Sequence, residues 1–207
     1  MAVTTNIFLV RHGETVWNVE HRMQGHQDSA LTVLGVQQAL WLGERLRDEP
    51  LHAVYSSSSD RAFRTAELIT QHKEVKINPS DELKEISLGT WEGKTQSFLK
   101  NHFPDQFENF WGDPETYISD GGETFKEVEQ RAIKKLSEIL RSHDGENVLL
   151  VTHTVVVKLL MAYFEKRLLK DLWQPPYIHP VSLCHIQITN GNPCILLYGD
   201  TGHYKQH

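Results

Sequence analysis

Short apolar runs alternate with amphipathic segments along most of this chain. Segments of strand length lie at residues 6–10, 52–56, 75–78 and 147–151, of which the first and last are apolar runs. Apolar side chains recur at helical spacing at about residues 33–47, from Arg61 onwards, and at 125–141 and 154–164. Strands that alternate with helices predict an α/β fold, with a mostly parallel central sheet between two layers of helices. We therefore expect a three-layer αβα sandwich.

Two local signals fix the expected starts of helices. Thr32 directly precedes an apolar-periodic segment and is a plausible N-cap. Thr124 and Glu127 have the spacing of a capping box, in which each side chain binds the backbone of the other residue. Residues 14–31 between the first strand and Thr32 are expected to form a loop.

The apolar runs on either side of Asn190-Gly191 predict a hairpin with a two-residue turn, which would add antiparallel character at one edge of the sheet. The expected register pairs Thr189 with Asn192, Cys184 with Leu197, and Cys194 with Gln187. The two cysteines then point to opposite faces, which argues against a disulfide between them. Cys184 shares its face with Ile186, Ile188, Ile195 and Leu197, and is expected in the core.

Residues 95–122 differ from the rest of the chain, because they are rich in aromatic side chains and contain two prolines. We predict short helices here that form a small cap over one end of the sheet and over the active site expected there. The chain is then a single domain, residues 1–207, with this cap as an insertion. Residues 202–207 are polar and predicted to be a loose tail.

The net charge of −6 for 207 residues disfavours general binding to nucleic acid or to anionic membranes. A phosphate site would have to be a local basic pocket. No apolar run approaches the roughly 20 residues that a membrane-spanning helix needs. The first residues lack the basic segment of a signal peptide, so we expect a cytoplasmic protein. The sequence favours neither a monomer nor a dimer.

Reactive side chains follow three of the predicted strands. Arg11 and His12 end the first strand, Arg61 follows the second, and His153 follows the run at 147–151. Each of these residues alone has an ordinary structural explanation, such as a solvated helix position or a surface histidine. If the strands are parallel neighbours, however, their carboxyl ends meet in one crevice, where ligands bind in open α/β sheets. Arginine forks and helix N-termini in such a crevice suit a phosphate group.

The histidine and cysteine spacings do not match a metal site, and no phosphate-binding glycine loop is present. We therefore expect no metal and no cofactor. A histidine inside a phosphate pocket can attack phosphorus and carry the phosphoryl group, which divides one displacement into two.

These motifs occur in a fixed order along the chain. Residues 9–15 read LVRHGET, 83–93 read LKEISLGTWEG, 121–123 read GGE and 151–153 read VTH, with Asn18 and the segment 56–66 between them. The set resembles the histidine phosphatase superfamily, also called phosphoglycerate-mutase-like, and looks closest to short bacterial broad-specificity phosphatases of the PhoE type. The resemblance implies the three-layer fold and a phosphohistidine mechanism.

The resemblance also implies roles for individual residues. His12 would be the nucleophile, neutral and with one ring nitrogen held by the backbone. Glu85 would give a proton to the leaving oxygen, and the protonated carboxyl that this step needs implies either activity at mildly acidic to neutral pH or a raised pKa of Glu85. The phosphate would be held by Arg11, Asn18, Gln24, Arg61, a protonated His153 and Thr154. The family usually has glycine at the last of these positions, so Thr154 raises a question about substrate range.

The expected function is a metal-independent phosphomonoester hydrolase of broad specificity for small phosphorylated metabolites. Two alternatives within the family are a phosphoglycerate mutase and an α-ribazole phosphatase. Mutases of this family look longer after the acidic glutamate, whereas here Glu85 is followed closely by Gly93. A non-catalytic phospho-ligand binder is the alternative from another class.

Overall fold

A six-stranded sheet forms the centre of the protein in a computed structural model that describes residues 3–205. The strands are β1 (Thr4–Arg11), β2 (Ala53–Ser57), β3 (Ile77–Ser80), β4 (Asn147–Thr152), β5 (Leu183–Thr189) and β6 (Asn192–Asp200). Their order across the sheet is β3-β2-β4-β1-β5-β6. Neighbours from β3 to β1 are parallel, and β5 pairs antiparallel with both β1 and β6. The mostly parallel sheet with an edge hairpin is thus confirmed.

Helices cover both faces of this sheet. They are α1 (Val16–Val19), α2 (Val33–Arg45), α3 (Asp60–Thr70), α4 (Gln96–His102), α5 (Pro104–Gly112), α6 (Phe125–Ser142) and α7 (Thr154–Glu165). Short 3-10 turns lie at Asp81–Leu83, Gly89–Trp91 and Leu169–Asp171. Among residues 3–205, no helix is both long enough and apolar enough to cross a membrane.

The two faces of β4 explain the three layers. Leu149 and Val151 pack into a core with α2 and α3, while Val148 and Leu150 pack into a second core with α6 and α7. All four side chains are fully buried. A strand buried on both faces reads as a continuous apolar run instead of an alternating one, which is why residues 147–151 stood out in the sequence. The three-layer αβα sandwich is confirmed.

The predicted helix starts are confirmed. Thr32 caps α2 by accepting a hydrogen bond from the N–H of Gly35, and Thr124 and Glu127 form the reciprocal capping box of α6. The segment at 14–31 is less loop-like than expected, because a second capping box between Thr15 and Asn18 encloses the single turn of α1.

The hairpin turn is confirmed, with Asn190 and Gly191 both at positive φ, but part of the expected register is wrong. Thr189 pairs with Asn192 and Gln187 with Cys194 as predicted, whereas Leu197 lies opposite His185 instead of Cys184. A register shift next to His185 turns Leu197 towards the core of α2 and α3. Cys184 is buried in the other core and Cys194 is exposed, so both thiols are free.

The expectation of a loose tail is wrong for the residues that the structure describes near this end. His203 is only 8% exposed, and the hydroxyl of Tyr204 donates a hydrogen bond to the carbonyl of Pro180. Gln206 and His207 lie outside the described residues.

Two glycines allow the loop after β1 to lie directly against the first turn of α2. A Cβ atom on Gly35 would lie 2.1 Å from the carbonyl oxygen of Glu14, and one on Gly13 would lie 2.7 Å from that of Gly35. Both contacts involve backbone, which cannot move aside easily.

Gly35→Ala is therefore expected to lower the free energy of unfolding by roughly 1–3 kcal/mol, the usual cost of forcing extra volume into a packed site. Urea denaturation measures this value. Gly112→Ala is the control, because a Cβ atom there would meet nothing within 4 Å. It should leave the stability unchanged or raise it by up to about 1 kcal/mol. Equal losses in both variants would contradict the steric explanation.

Candidate active site

The carboxyl ends of β1, β2 and β4 meet at one edge of the sheet, as the sequence predicted, beside a cavity of about 390 Å³. The predicted residues that line this cavity are Arg11, His12, Asn18, Gln24, Arg61, Glu85 and Thr154. His153 does not line it but lies behind His12, with the two ring centroids 5.1 Å apart. The structure therefore brings the whole predicted set together.

Backbone contacts hold both the main chain and the ring of His12. The backbone N–H of His12 donates to the carbonyl of Thr152, and the imidazole Nδ1 lies 2.7 Å from the carbonyl oxygen of Gly13. A carbonyl only accepts, so Nδ1 carries the hydrogen and Nε2 presents its lone pair. Burial, followed by the charges of Arg61 and Arg11, lowers the pKa of His12 well below 6.5. The ring is therefore neutral and nucleophilic at Nε2.

His153 is also fully buried, at the N-cap position of α7. Its Nε2 lies 2.8 Å from the hydroxyl of Ser57, and its Nδ1 has no hydrogen-bond partner among the described residues. Burial, Arg61 and His12 lower its pKa well below 6.5. With protein groups alone around it His153 is neutral, so the protonated state expected from the sequence would require the added negative charge of a phosphoryl group.

These two buried histidines predict how stability depends on pH. Their pKa values are lower in the folded protein than the value near 6.5 of an unfolded chain. Between the folded and unfolded pKa values the unfolded state binds more protons, so the free energy of unfolding should fall as the pH falls through 6.5. The slope is up to about 1.4 kcal/mol per pH unit for each group.

Denaturation at pH values between 7.5 and 5 tests this expectation. His12→Asn and His153→Asn should each flatten the pH dependence of the free energy of unfolding. His72→Ala is the control, because His72 is exposed. It should keep the wild-type slope, and a wild-type slope in all three variants would contradict the expectation.

Arg11 and Arg61 are both anchored through their outer nitrogens. Arg61 is 2% exposed and donates to the carbonyls of Gly25 and Gln27 and to the carboxylate of Asp28, at 2.8–3.0 Å. Arg11 donates from Nη1 to the carbonyl of Ile178. The Nε–H group of each arginine is buried without a partner in the described structure. Each cation is thus fixed in place while one donor remains available to an anion.

Glu85 also lines the cavity and is half-buried. Its carboxylate oxygens accept from the backbone N–H groups of Ile86 at 3.0 Å and Val155 at 3.3 Å. Burial raises the pKa of Glu85, although these N–H groups and the two arginines act in the opposite direction. The raised pKa, one of the two options that the resemblance implied, is confirmed in direction.

The remaining predicted residues lie around these groups. The side-chain oxygen of Asn18 accepts from Thr15 in the cap of α1, which leaves its Nδ2 group for a ligand. Gln24 is 7% exposed, and its side-chain oxygen is buried without a partner among residues 3–205. Thr154 is the first residue of α7 and lines the cavity.

Several residues of the site were not found from the sequence. Ser57, which binds His153, lies in the segment 56–66 that contributes to the resemblance, but no role was predicted for it. Thr65 accepts from the N–H of Gly13 and donates to the carbonyl of Arg61, four residues earlier on α3. The four-residue spacing between Arg61 and Thr65 on a predicted helix could have indicated the hydrogen bond between them. Further lining residues include Arg22, Gln96, Phe110, Trp111 and Trp173. Trp173 carries no local signal, because only the tertiary fold brings it to the cavity.

Among residues 3–205, no three or more His, Cys, Asp or Glu side chains are grouped in a way that could hold a metal ion. The basic residues that line the cavity within this range are Arg11, Arg22 and Arg61. Arg22 is paired with Glu20 and also donates to the carbonyl of Gly93.

This chain is similar in sequence and in structure to known proteins. The family model described as "Histidine phosphatase superfamily (branch 1)" matches residues 7–201. A "Probable phosphoglycerate mutase GpmB" of Salmonella choleraesuis is 34% identical over 156 residues, which cover 75% of this chain and 73% of that relative.

Two solved structures illustrate the structural likeness. Bacillus stearothermophilus YhfR is 45% identical, with a TM-score of 0.93 over 96% of this chain and 98% of that one. The α-ribazole phosphatase from Shigella flexneri is 25% identical, with a TM-score of 0.86 over 98% of this chain and 100% of that one. With the cavity geometry and the family match in agreement, this chain belongs to the histidine phosphatase superfamily.

Proposed function

We propose that this protein is a metal-independent phosphomonoester hydrolase that works through a phosphohistidine on His12. The observation that carries the proposal is the hydrogen bond from Nδ1 of His12 to the carbonyl of Gly13, inside a cavity that also holds Arg11, Arg61 and Glu85. This bond leaves a neutral Nε2 as the nucleophile. Membership of a superfamily whose relatives are named as phosphatases or mutases supports phosphoryl transfer.

In the first step, Nε2 of His12 attacks phosphorus and a P–N bond forms. The bond from phosphorus to the ester oxygen breaks, and the leaving oxygen takes the proton of the Glu85 carboxyl. Arg11 and Arg61 balance the charge on the three other phosphoryl oxygens in the transition state. Their anchored guanidinium groups need little reorganisation at that moment.

In the second step, water attacks phosphorus and gives a proton to the Glu85 carboxylate. The P–N bond breaks, which releases inorganic phosphate and restores His12 with an unprotonated Nε2. The same carboxyl thus acts first as acid and then as base, and its raised pKa supports this double role because the protonated form persists to a higher pH.

The proposed substrates are small phosphomonoesters of broad range. Phe110, Trp111 and Trp173 give the cavity an apolar wall. Arg22, the third basic residue of the described lining, is already paired with the carboxylate of Glu20.

We also propose that residues 95–122 are a cap insertion within one domain, since Gln96 of α4 and Phe110 of α5 line the cavity.

A phosphoglycerate mutase is the second candidate, and the 34% identical relative with that name favours it. The near-equal coverage of the two chains means that their lengths are similar. This relative, which is named as a mutase, is therefore about as long as the present chain, so chain length does not distinguish a mutase from a phosphatase here. The α-ribazole phosphatase structure supports hydrolysis of a phosphomonoester instead.

Rapid alkaline quench of the enzyme with 3-phosphoglycerate, and separately with p-nitrophenyl phosphate, distinguishes the candidates. Acid-labile, alkali-stable protein phosphate, free phosphate and 2-phosphoglycerate are measured together. A phosphoenzyme with free phosphate and no 2-phosphoglycerate supports the hydrolase. Formation of 2-phosphoglycerate supports the mutase. A protein that binds phosphate but gives no phosphoenzyme and no turnover with either compound would contradict both and favour a phospho-ligand binder.

A further inference from the structure

Glu85 lies in a segment without regular secondary structure. Residues 84–88 belong to neither a helix nor a strand, since they follow the turn at Asp81–Leu83 and precede the one at Gly89–Trp91. The buried side chains of Leu83, Ile86 and Leu88 hold the segment against the core. Apolar packing is non-directional, so it does not by itself set the orientation of a carboxyl group. Hydrogen bonds must supply that orientation.

Arg131 of α6 supplies several of these hydrogen bonds. Its Nη1 donates to the carbonyls of Glu82 at 2.9 Å and Lys84 at 2.7 Å, and its Nη2 donates to the carbonyl of Glu85 at 3.0 Å. One guanidinium therefore binds three carbonyl groups of the segment that carries the proposed acid. The Arg131 side chain is 19% exposed, so water competes little for these donors.

Glu123 holds this guanidinium from the other side. Its two carboxylate oxygens accept from Nε and Nη2 of Arg131 at 2.7 and 2.8 Å, in the bidentate geometry that suits an arginine fork. One of these oxygens also accepts from the N–H of Ser87 at 2.9 Å. Burial would raise the pKa of Glu123, but Arg131 and Ser87 outweigh it and lower that pKa. The carboxylate is therefore charged and paired.

We propose that Arg131, held by Glu123, is a positioning residue that fixes the backbone of residues 82–87 and so holds the Glu85 carboxyl at the leaving group. This inference rests on the proposed role of Glu85 as acid and base. Arg131 contacts the backbone of Glu85 and not the cavity itself, since it is absent from the described lining. It therefore reaches the leaving group through the backbone of Glu85 and not by direct contact.

The test compares kcat/KM for an alkyl phosphate, β-glycerophosphate, with that for p-nitrophenyl phosphate. The alkoxide leaving group needs a proton from Glu85, whereas p-nitrophenolate leaves readily without one. Arg131→Ala should lower kcat/KM for the alkyl ester by on the order of 10- to 100-fold, the usual cost of a displaced catalytic group. The loss for the aryl ester should be clearly smaller. Inhibition by inorganic phosphate should stay unchanged, because Arg11 and Arg61 are untouched.

Three further variants keep the inference testable if Arg131→Ala folds poorly. Arg131→Lys retains the charge without the fork, so it should restore part of the activity on the alkyl ester. Glu123→Gln should show the same substrate pattern with a smaller loss. Arg141→Ala is the matched control on α6, because Arg141 is exposed near the end of that helix. It should behave like the wild type with both esters.

A double-mutant cycle with Glu85→Gln completes the test. In the Glu85→Gln background, adding Arg131→Ala should lower kcat/KM for the alkyl ester by no more than about twofold, because the proton donor that Arg131 positions is already absent. Full additivity, equal losses on both esters, or weaker phosphate inhibition would each overturn the inference. If the wild type forms no phosphoenzyme, the proposed function fails instead, which alkaline quench of the wild type detects separately.

Discussion

His12→Ala is expected to abolish the phosphoenzyme and to lower kcat by on the order of 10⁴-fold or more, as loss of a covalent nucleophile does in other enzymes. The reason is geometric: Nδ1 of His12 is held by the carbonyl of Gly13, so Nε2 is the nucleophilic nitrogen that His12 offers to the cavity. The neighbouring His153 cannot substitute, because its Nε2 is bound to Ser57 and it does not line the cavity among the described residues.

Alkaline quench with p-nitrophenyl phosphate, together with steady-state release of p-nitrophenol, measures both quantities. His72→Ala is again the control, since this exposed histidine should leave kcat and phosphoenzyme unchanged. Inorganic phosphate should still inhibit any residual activity of His12→Ala, because Arg11 and Arg61 remain. A phosphoenzyme that survives in His12→Ala would assign the nucleophile to another residue.

Glu85→Gln is expected to lower kcat/KM for alkyl phosphates by about 10²- to 10⁴-fold, the usual contribution of a general acid. The loss for p-nitrophenyl phosphate should be smaller, because p-nitrophenolate leaves readily without a proton from Glu85. Glutamine preserves the size of the side chain and its acceptor oxygen for the N–H of Ile86. The variant removes the acidic proton and also the acceptor oxygen for the N–H of Val155.

The pH profile of kcat/KM tests the same assignment with its sign. The first step needs protonated Glu85, so wild-type kcat/KM should fall as the pH rises through the Glu85 pKa, which burial raises above the usual 4.5. It also needs neutral His12, whose pKa is lowered, so the loss on the acid side should begin well below pH 6.5. Glu85→Gln should lose the alkaline limb that belongs to Glu85.

Glu74→Gln, an exposed position, should retain the wild-type profile. An alkaline limb that is identical in the wild type and in Glu85→Gln would assign that limb to another group. Equal losses on alkyl and aryl esters would show that Glu85 does not protonate the leaving oxygen.

Features that depend on neighbours in the chain were predicted well. The caps at Thr32 and Thr124 and the turn at Asn190-Gly191 need only three or four adjacent residues to form. The double burial of β4 followed from its continuous apolar run. The convergence of Arg11, His12, Arg61 and His153 followed from parallel pairing, which places the carboxyl ends of neighbouring strands at one edge.

Features that depend on a single register or a distant contact were not predicted. A shift next to His185 placed Leu197 on the opposite face from the one expected, since one residue more or less in a strand reverses every following side chain. The backbone carbonyls that hold Arg61 and the residue Ser57 that binds His153 gave no clear signal, because any residue has a carbonyl and serines are common.

The sequence by itself determined the order of elements, the three-layer fold and which candidate side chains follow the strands that meet at one edge of the sheet. These depend on periodicity and on motifs a few residues long. Only the tertiary structure decided which nitrogen of His12 is free, how Arg131 reaches the backbone beside Glu85, and which apolar side chains line the cavity. Each of these depends on contacts between segments far apart in the chain, whose distances are fixed only when both cores are packed.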